Sequence, residues 1–166
     1  MATLRFLDAG QILGSAITEL KLREQGREKT LVFSGDLGKR DSVLMKDPAK
    51  PPPADLLLVE STYGDREHRT ELDSVTQLRG ILADTWRRGG SVMIPAFAVG
   101  RTQEILFHLG CLHHRGELDP WQVFLDSPMA ISVTRIYDRW LKLLDGDDVK
   151  ELSDVHKSSL ENFLPT

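Results

Sequence analysis

The sequence predicts an α/β protein in which a β region is followed by strands that alternate with helices. Residues 16–22 alternate with a period of two, which is typical of a half-exposed strand. Residues 56–59 form a continuous apolar run, as in a strand buried on both faces. Residues 70–88 place their apolar side chains on one helical stripe. Strands alternating with helices imply a parallel sheet that is covered on both faces.

The β region is predicted to hold a short strand, a hairpin and a connection. Residues 4–7 are apolar, and residues 23–29 are charged and contain Gly26, which predicts a hairpin turn between strands 16–22 and 30–33. The charged and proline-rich residues 39–54 then predict a connection, because proline cannot donate a hydrogen bond to a strand ladder.

The second part is predicted to follow the order β-α-β-α-β-α-α. Thr70 and Asp73 form a possible capping pair at the start of the first helix. Ser127 followed by Pro128 predicts another helix start, with an N-cap and a proline at the first helical position. The remaining elements are predicted as strands 91–95 and 121–125 and helices 100–112, 127–146 and 147–163.

Composition favours a cytosolic globular protein. The formal net charge of −4 argues against a surface built for non-specific nucleic-acid binding, although a local basic strip remains compatible with it. The one cysteine, Cys111, cannot form an intrachain disulfide and is expected to be an inert thiol. The sequence has no apolar run of the ~20 residues that a membrane helix needs, and no signal-peptide pattern. We therefore expect no membrane association.

Short polar segments follow four of the predicted strands, and ligands of open α/β sheets bind at the carboxyl ends of strands. Asp36 lies in one of them, as either a turn aspartate or a site residue. Glu60 ends an apolar strand, so its carboxylate must be hydrogen-bonded, paired or metal-bound. The segments are Ser34-Gly35-Asp36, Glu60-Ser61-Thr62, Pro95-Ala96-Phe97 and Asp126-Ser127-Pro128.

Two predicted helix starts are candidate phosphate sites. Arg101 and Ser127 lie where unpaired helix amides favour an anion, and the alternative at both positions is an ordinary capped helix start. The five histidines form neither an H-x-H nor an H-E-x-x-H metal motif. Only His68, which follows the Glu60 segment closely, is kept as a site candidate.

Five ordered segments resemble the β-CASP group of metallo-β-lactamase-fold RNA nucleases. Residues 9–16 are similar to the family segment A-G-H-x-L-G-S-A, and residues 34–38 to S-G-D-x-G. Residues 60–68 resemble E-S-T-Y-G-[DN]-R-x-H, and residues 95–104 and 126–130 resemble two further segments in the family order. The resemblance covers residues 3–145.

The resemblance implies a partial metallo-β-lactamase β region over residues 1–62 and the start of a β-CASP α/β region over residues 63–166. It also implies two zinc ions that activate a water to attack an RNA phosphodiester. Asp36 matches the bridging metal ligand, and Glu60 matches an acidic residue that supports a catalytic histidine. His68, which matches the last position of the E-S-T-Y-G-[DN]-R-x-H segment, is the third candidate catalytic residue. Arg101 and Ser127 are the candidate substrate-binding residues because they lie at predicted helix starts.

The sequence departs from the family pattern at its metal ligands. Gln11 stands where the family has a histidine, and glutamine is a poor zinc ligand. The family motif H-x-H-x-D-H would precede residue 1, and two further histidines would follow Thr166. We therefore expect a partial or degenerate relative that binds no zinc stably and is inactive alone. The alternatives are a non-catalytic RNA-binding module and a self-associating protein, either a homo-oligomer or a partner of a full-length homologue.

Overall fold

The computed structural model describes residues 1–118 and 120–141, and they divide into two compact units. The first unit combines residues 1–60 with the described residues from 98 onward, and the second comprises residues 61–97. The predicted helix 147–163 and the end of the helix predicted to reach residue 146 lie outside the described residues. A domain boundary between residues 62 and 63 remains a prediction.

The first unit contains a four-stranded sheet with the order β1-β2-β3-β4. Strands β1 (Ala2–Asp8), β2 (Ala16–Glu24) and β3 (Arg27–Phe33) pair antiparallel, and β4 (Leu56–Leu58) pairs parallel with β3. The predicted hairpin is confirmed, with a turn of only two residues. Gln25 and Gly26 have φ angles of 50° and 76°, as a type I′ turn requires, so both strands continue further than the charged sequence suggested.

One face of this sheet carries a small core. Ile17 and Val32 are buried there together with Ala9. Glu19 lies on the same face and is only 2% exposed. Arg5 pairs with its Oε2 at 2.5 Å, and Lys21 approaches its Oε1 at 3.4 Å. Every second residue of β2 therefore points to the buried face, and Glu19 is one of them. Its charge is tolerated there because it is paired with cations.

Residues 56–59 were expected to be buried on both faces, and this expectation is wrong. Leu57 is 53% exposed and Val59 is 55% exposed. The physical reason is that a strand is buried on both faces only where other elements cover it, and β4 is a short edge strand that pairs with β3 alone within the described part of the chain.

Three helices complete the described structure: α1 (Glu71–Arg87), α2 (Arg101–His114) and α3 (Pro128–Leu141). The capping pair is confirmed, since the Thr70 hydroxyl accepts a hydrogen bond from the Asp73 amide at 3.1 Å. In the first unit, Leu106 and Phe107 of α2 and Tyr137 of α3 share a core cluster with Leu44 and Met45. None of the described helices has both the length and the apolar character required to cross a membrane.

The predicted α/β class is confirmed, but two predicted strands are absent from the described sheet. Residues 91–95 and 121–125 lie outside its ladders. A strand requires hydrogen bonds to a neighbour as well as an apolar sequence, and these segments belong to no ladder among the described residues.

Candidate functional site

Two loops that carry family segments meet backbone to backbone in the first unit. We name residues 9–15 the first motif loop and residues 34–38 the second motif loop. The Gly38 amide donates a hydrogen bond to the Ala9 carbonyl at 2.8 Å. A Cβ atom on Gly38 would lie 1.9 Å from the carbonyl oxygen of Gly10, so only glycine fits this approach. The structure therefore brings together the loops that hold Gln11 and Asp36.

Glu60 fixes the second motif loop from the end of the sheet. Its carboxylate accepts a hydrogen bond from the Leu37 amide at 2.9 Å. The Glu60 amide in turn donates to the Ser34 hydroxyl at 3.0 Å, and the Ser34 amide donates to the Leu58 carbonyl at 2.9 Å. These bonds tie both ends of the loop to the end of β4, so Glu60 has a positioning function toward the loop that presents Asp36.

The residues at this junction do not fit a catalytic zinc site. Asp36 and Gln11 are both exposed, and the backbone N–H of Gln11 donates to the Ser15 hydroxyl at 3.1 Å. Within the described residues, no three histidine, cysteine or acidic side chains come together as a possible metal cluster. A catalytic zinc needs about three protein ligands, and a neutral amide is a poor substitute for imidazole. The role of Asp36 as a metal ligand remains a prediction.

Tyr137 anchors the first motif loop to α3. Its side chain is 1% exposed, and its hydroxyl accepts a hydrogen bond from the Leu13 amide at 3.4 Å. Burial raises the pKa of Tyr137 above its ordinary value of 10.0, while the hydrogen bond from Leu13 acts in the opposite direction. Sequence reasoning missed this residue, because 124 positions separate the two partners.

Gln103 organises the start of α2, and it was also missed. Its side-chain oxygen accepts from the Gly100 amide at 2.8 Å, and its side-chain nitrogen donates to the Ala98 carbonyl at 3.1 Å. The same nitrogen donates to the Thr134 hydroxyl of α3 at 3.1 Å. A glutamine three residues after the helix cap is a known capping signal that could have revealed it.

The two predicted phosphate-binding residues have partners within the protein. Arg101 pairs with Glu104 at 2.6 Å, and Lys39 reaches the same carboxylate at 3.1 Å. The Ser127 hydroxyl accepts from the Ala130 amide at 3.2 Å, as an N-cap does. To bind phosphate, Arg101 or Ser127 would have to exchange these contacts within the protein for contacts with the phosphate. Phosphate binding at these residues remains a prediction.

His68 belongs to the second unit. Its ring lies edge-on to that of Tyr63, with 4.5 Å between the ring centroids. Nearby, Arg66 pairs with Asp65 at 2.9 Å, and this contact lowers the pKa of the Asp65 carboxyl. A catalytic role for His68 remains a prediction.

Comparison with known proteins connects these segments to one family. Residues 102–164 match the Beta-Casp domain model. Ribonuclease TTHA0252 of Thermus thermophilus is 46% identical over 140 residues, which are 84% of this chain and 31% of that protein. Endoribonuclease YSH1 of Saccharomyces cerevisiae is 30% identical over 151 residues, covering 88% of this chain and 19% of that protein.

An archaeal relative extends the comparison. Transcription termination factor FttA of Methanosarcina mazei is 34% identical over 148 residues, which are 87% of this chain and 23% of that protein. The chain thus spans less than a third of each of these relatives. The three similarities cover 84%, 88% and 87% of this chain. The chain therefore belongs to the β-CASP family of metallo-β-lactamase-fold RNA nucleases.

Proposed function

We propose that this chain supplies loop framework for an RNA-processing phosphodiester hydrolase and does not hydrolyse RNA by itself. Two of the relatives are named as a ribonuclease and an endoribonuclease, which supports RNA as the substrate class. A hydrolytic centre built on this framework would need metal ligands in addition to those of the described residues, and a full-length homologue is the proposed partner that could supply them. Zinc is the metal expected for that centre.

The observation that carries this proposal is that the second motif loop is fixed by hydrogen bonds, while no further metal ligands surround Asp36 among the described residues. Glu60 and Gly38 fix the backbone on both sides of the second motif loop, and Asp36 projects from it as an exposed carboxylate. In the first motif loop, the residue at the position of the family histidine is Gln11, whose side chain is a neutral amide. The framework is thus retained, while the donor set among the described residues falls short of what zinc hydrolases need.

The residues of this chain would position the two motif loops of the hydrolytic centre. Asp36 offers one anionic ligand at the loop tip, and Glu60 orients it indirectly through the Leu37 amide. Tyr137 holds the first motif loop from the side of α3, through Leu13. Zinc, held with ligands additional to those of the described residues, would supply the activated water and contacts to the phosphate oxygens.

The proposal is tested with labelled single-stranded RNA and the chain alone in zinc-containing buffer. The expected result is the same low cleavage for the unaltered chain and for Asp36→Asn, which removes the one matched family ligand while keeping side-chain size. Cleavage that is abolished by Asp36→Asn would overturn the proposal. Addition of a full-length homologue is expected to give cleavage that exceeds that of the homologue alone.

RNA binding without cleavage is a second candidate function. The observation in its favour is the convergence of Lys39 and Arg101 on Glu104, which gathers two cations beside the start of α2. Fluorescence anisotropy with single-stranded RNA at 50 and 200 mM salt tests it, because binding through phosphate contacts weakens steeply with salt. Arg101→Ala should weaken such binding more than the control Arg27→Ala in the hairpin. Equal effects would exclude a site at Arg101.

A further inference from the structure

The two residues that follow Gln11 in the first motif loop are both held by helices of the first unit. The Leu13 amide donates a hydrogen bond to the hydroxyl of Tyr137 in α3 at 3.4 Å. At the start of α2, a Cβ atom on Gly100 would lie only 2.8 Å from Cγ2 of Ile12, and Gly100 has a positive φ of 83°. The close approach and the backbone conformation both require glycine. The backbone beside Gln11 is therefore fixed from α2 and from α3.

The start of α2 also reaches the second motif loop. Lys39 directly follows Gly38 in the sequence, and its ammonium group pairs with the carboxylate of Glu104 at 3.1 Å. The Glu104 side chain is 19% exposed, so water and salt screen this pair less than they screen a fully exposed one. The first turn of α2 thus contacts the first motif loop through Gly100 and the second motif loop through Glu104.

Gln103 ties this first turn to α3. Its side-chain oxygen accepts from the Gly100 amide at 2.8 Å, while its side-chain nitrogen donates to the Ala98 carbonyl and to the Thr134 hydroxyl, each at 3.1 Å. The Thr134 hydroxyl donates in turn to the Ala130 carbonyl at 2.8 Å, which leaves its oxygen oriented as an acceptor for Gln103. Gln103 and Thr134 are both fully buried. A buried polar network whose groups are all hydrogen-bonded rigidifies a core and specifies one arrangement of the elements that it joins.

One face of α3 completes the connection back to the first motif loop. Thr134 and Tyr137 are three residues apart, so they project from the same side of the helix, and both are buried. Thr134 contacts Gln103 of α2, and Tyr137 contacts Leu13 of the loop. The start of α2, α3 and the first motif loop therefore form a closed ring of contacts.

We propose that Gln103 is a positioning residue for the hydrolytic centre, which acts on the first motif loop through Gly100 and Thr134. The ring of contacts gives Gln103 two routes to the backbone beside Gln11: directly along the first turn of α2, and through α3 by way of Tyr137. This assignment rests on the proposed function in one respect, because the motif loops must serve a hydrolytic centre. The hold of Gln103 on the loop is a property of the chain alone and is measured without RNA.

The test is amide hydrogen exchange of the complete chain, in which Thr134→Val removes the acceptor hydroxyl and keeps the shape of the side chain. Exchange at Leu13 is expected to become about fivefold faster, the factor that corresponds to one lost hydrogen bond, while exchange in β3 stays unchanged. Thr134→Ser keeps the hydroxyl and should restore the rate of the unaltered chain. Ser132→Ala is the matched control, because it removes an exposed hydroxyl of α3 that donates to the Pro128 carbonyl, four residues earlier, at 3.0 Å.

Gln103→Met provides a second variant, since methionine has nearly the same shape and makes none of the three hydrogen bonds. It should accelerate exchange at Leu13 at least as much as Thr134→Val does. Circular dichroism establishes that each variant is folded, and Thr134→Val decides the matter if Gln103→Met does not fold. Unchanged exchange at Leu13 in Thr134→Val would overturn the inference. Equal acceleration at Leu13 and throughout β3 would also overturn it, because that result indicates only a loss of global stability.

Cleavage of labelled RNA by a full-length homologue separates this inference from the proposed function. The unaltered chain is expected to raise that cleavage, and Thr134→Val is expected to raise it less, whereas Ser132→Ala should act like the unaltered chain. Equal stimulation by the unaltered chain and Thr134→Val would refute the positioning role and leave the proposed function standing. If the unaltered chain gives no stimulation, the proposed function fails, and the exchange rates still decide whether Gln103 holds the loop.

Discussion

The carboxylate of Glu60 accepts a hydrogen bond from the backbone amide of Leu37 at 2.9 Å. This contact joins the end of β4 to the loop that follows β3, and it holds the backbone next to Asp36. A carboxylate at the end of an apolar strand is thereby satisfied through a backbone donor. The same residue gives the family segment E-S-T-Y-G a local structural role, which is to hold the loop that contains Asp36.

Glu60→Ala should destabilise the first unit by about 1–3 kcal/mol, because the Leu37 amide loses its acceptor in a partly buried position. Hydrogen exchange at the Leu37 amide should accelerate, and denaturant unfolding should report the loss of stability. The control Glu24→Ala removes an exposed glutamate at the end of β2 and should change stability little. Unchanged exchange at Leu37 would contradict the positioning role of Glu60.

Gly38→Ala should cost at least about 2 kcal/mol of unfolding free energy, because its new methyl group would meet the rigid backbone of Gly10. Thermal unfolding measures this effect. The comparison variant is Gly80→Ala in α1, where a Cβ meets nothing within 4 Å. That substitution should stabilise the helix by roughly 1 kcal/mol. Equal tolerance of both changes would refute the close approach of the two motif loops.

Tyr137→Phe should lower stability by about 1 kcal/mol, since the Leu13 amide loses its hydroxyl partner. The pKa of the Tyr137 phenol is higher in the folded state than in the unfolded state. The protonated phenol therefore makes its full contribution to the free energy of unfolding below pH 10.0, and this contribution is lost as the pH rises through the raised pKa. Denaturant unfolding between pH 8 and 11 should show a smaller alkaline loss for Tyr137→Phe than for the unaltered chain. Tyr63→Phe, at an exposed ring, should retain the full alkaline loss.

Asp55→Asn should remove part of the acid sensitivity of the β3–β4 junction. Lys29 and the Thr30 amide both contact this carboxylate and lower its pKa below the ordinary value of 3.8. The stabilising contribution is therefore present above pH 3.8 and is lost as the pH falls through the lowered value. Between pH 5 and pH 2, the free energy of unfolding should fall less steeply with decreasing pH for Asp55→Asn than for Glu67→Gln. The second substitution is the control, because it neutralises an exposed carboxylate elsewhere. Parallel curves would contradict the ion pair.

Local signals in the sequence predicted local structure well. The hairpin around Gly26, the cap at Thr70 and the helix start at Ser127 are each encoded within a few residues, and the structure confirms all three. Burial of residues 56–59 was not predictable in the same way. An apolar run shows that a strand favours burial, but the strand also needs neighbouring elements to cover it, and those are not encoded locally.

The partners of site residues were the least predictable part. Leu37 lies 23 positions from Glu60, and their contact depends on how β3 and β4 pair. Leu13 and Tyr137 meet only after α3 has packed against the first motif loop. The strand pattern predicted that Asp36 and Glu60 follow strand ends, and they follow the parallel strands β3 and β4. The contacts that hold them follow from tertiary packing.

The most direct test of the central claim is the zinc content of the chain, measured by elemental analysis after purification without chelator. Our account predicts close to zero zinc per chain, because Asp36 lacks companion ligands among the described residues and Gln11 is a poor ligand. Zinc bound at close to the two ions expected of a two-metal hydrolase would contradict the account.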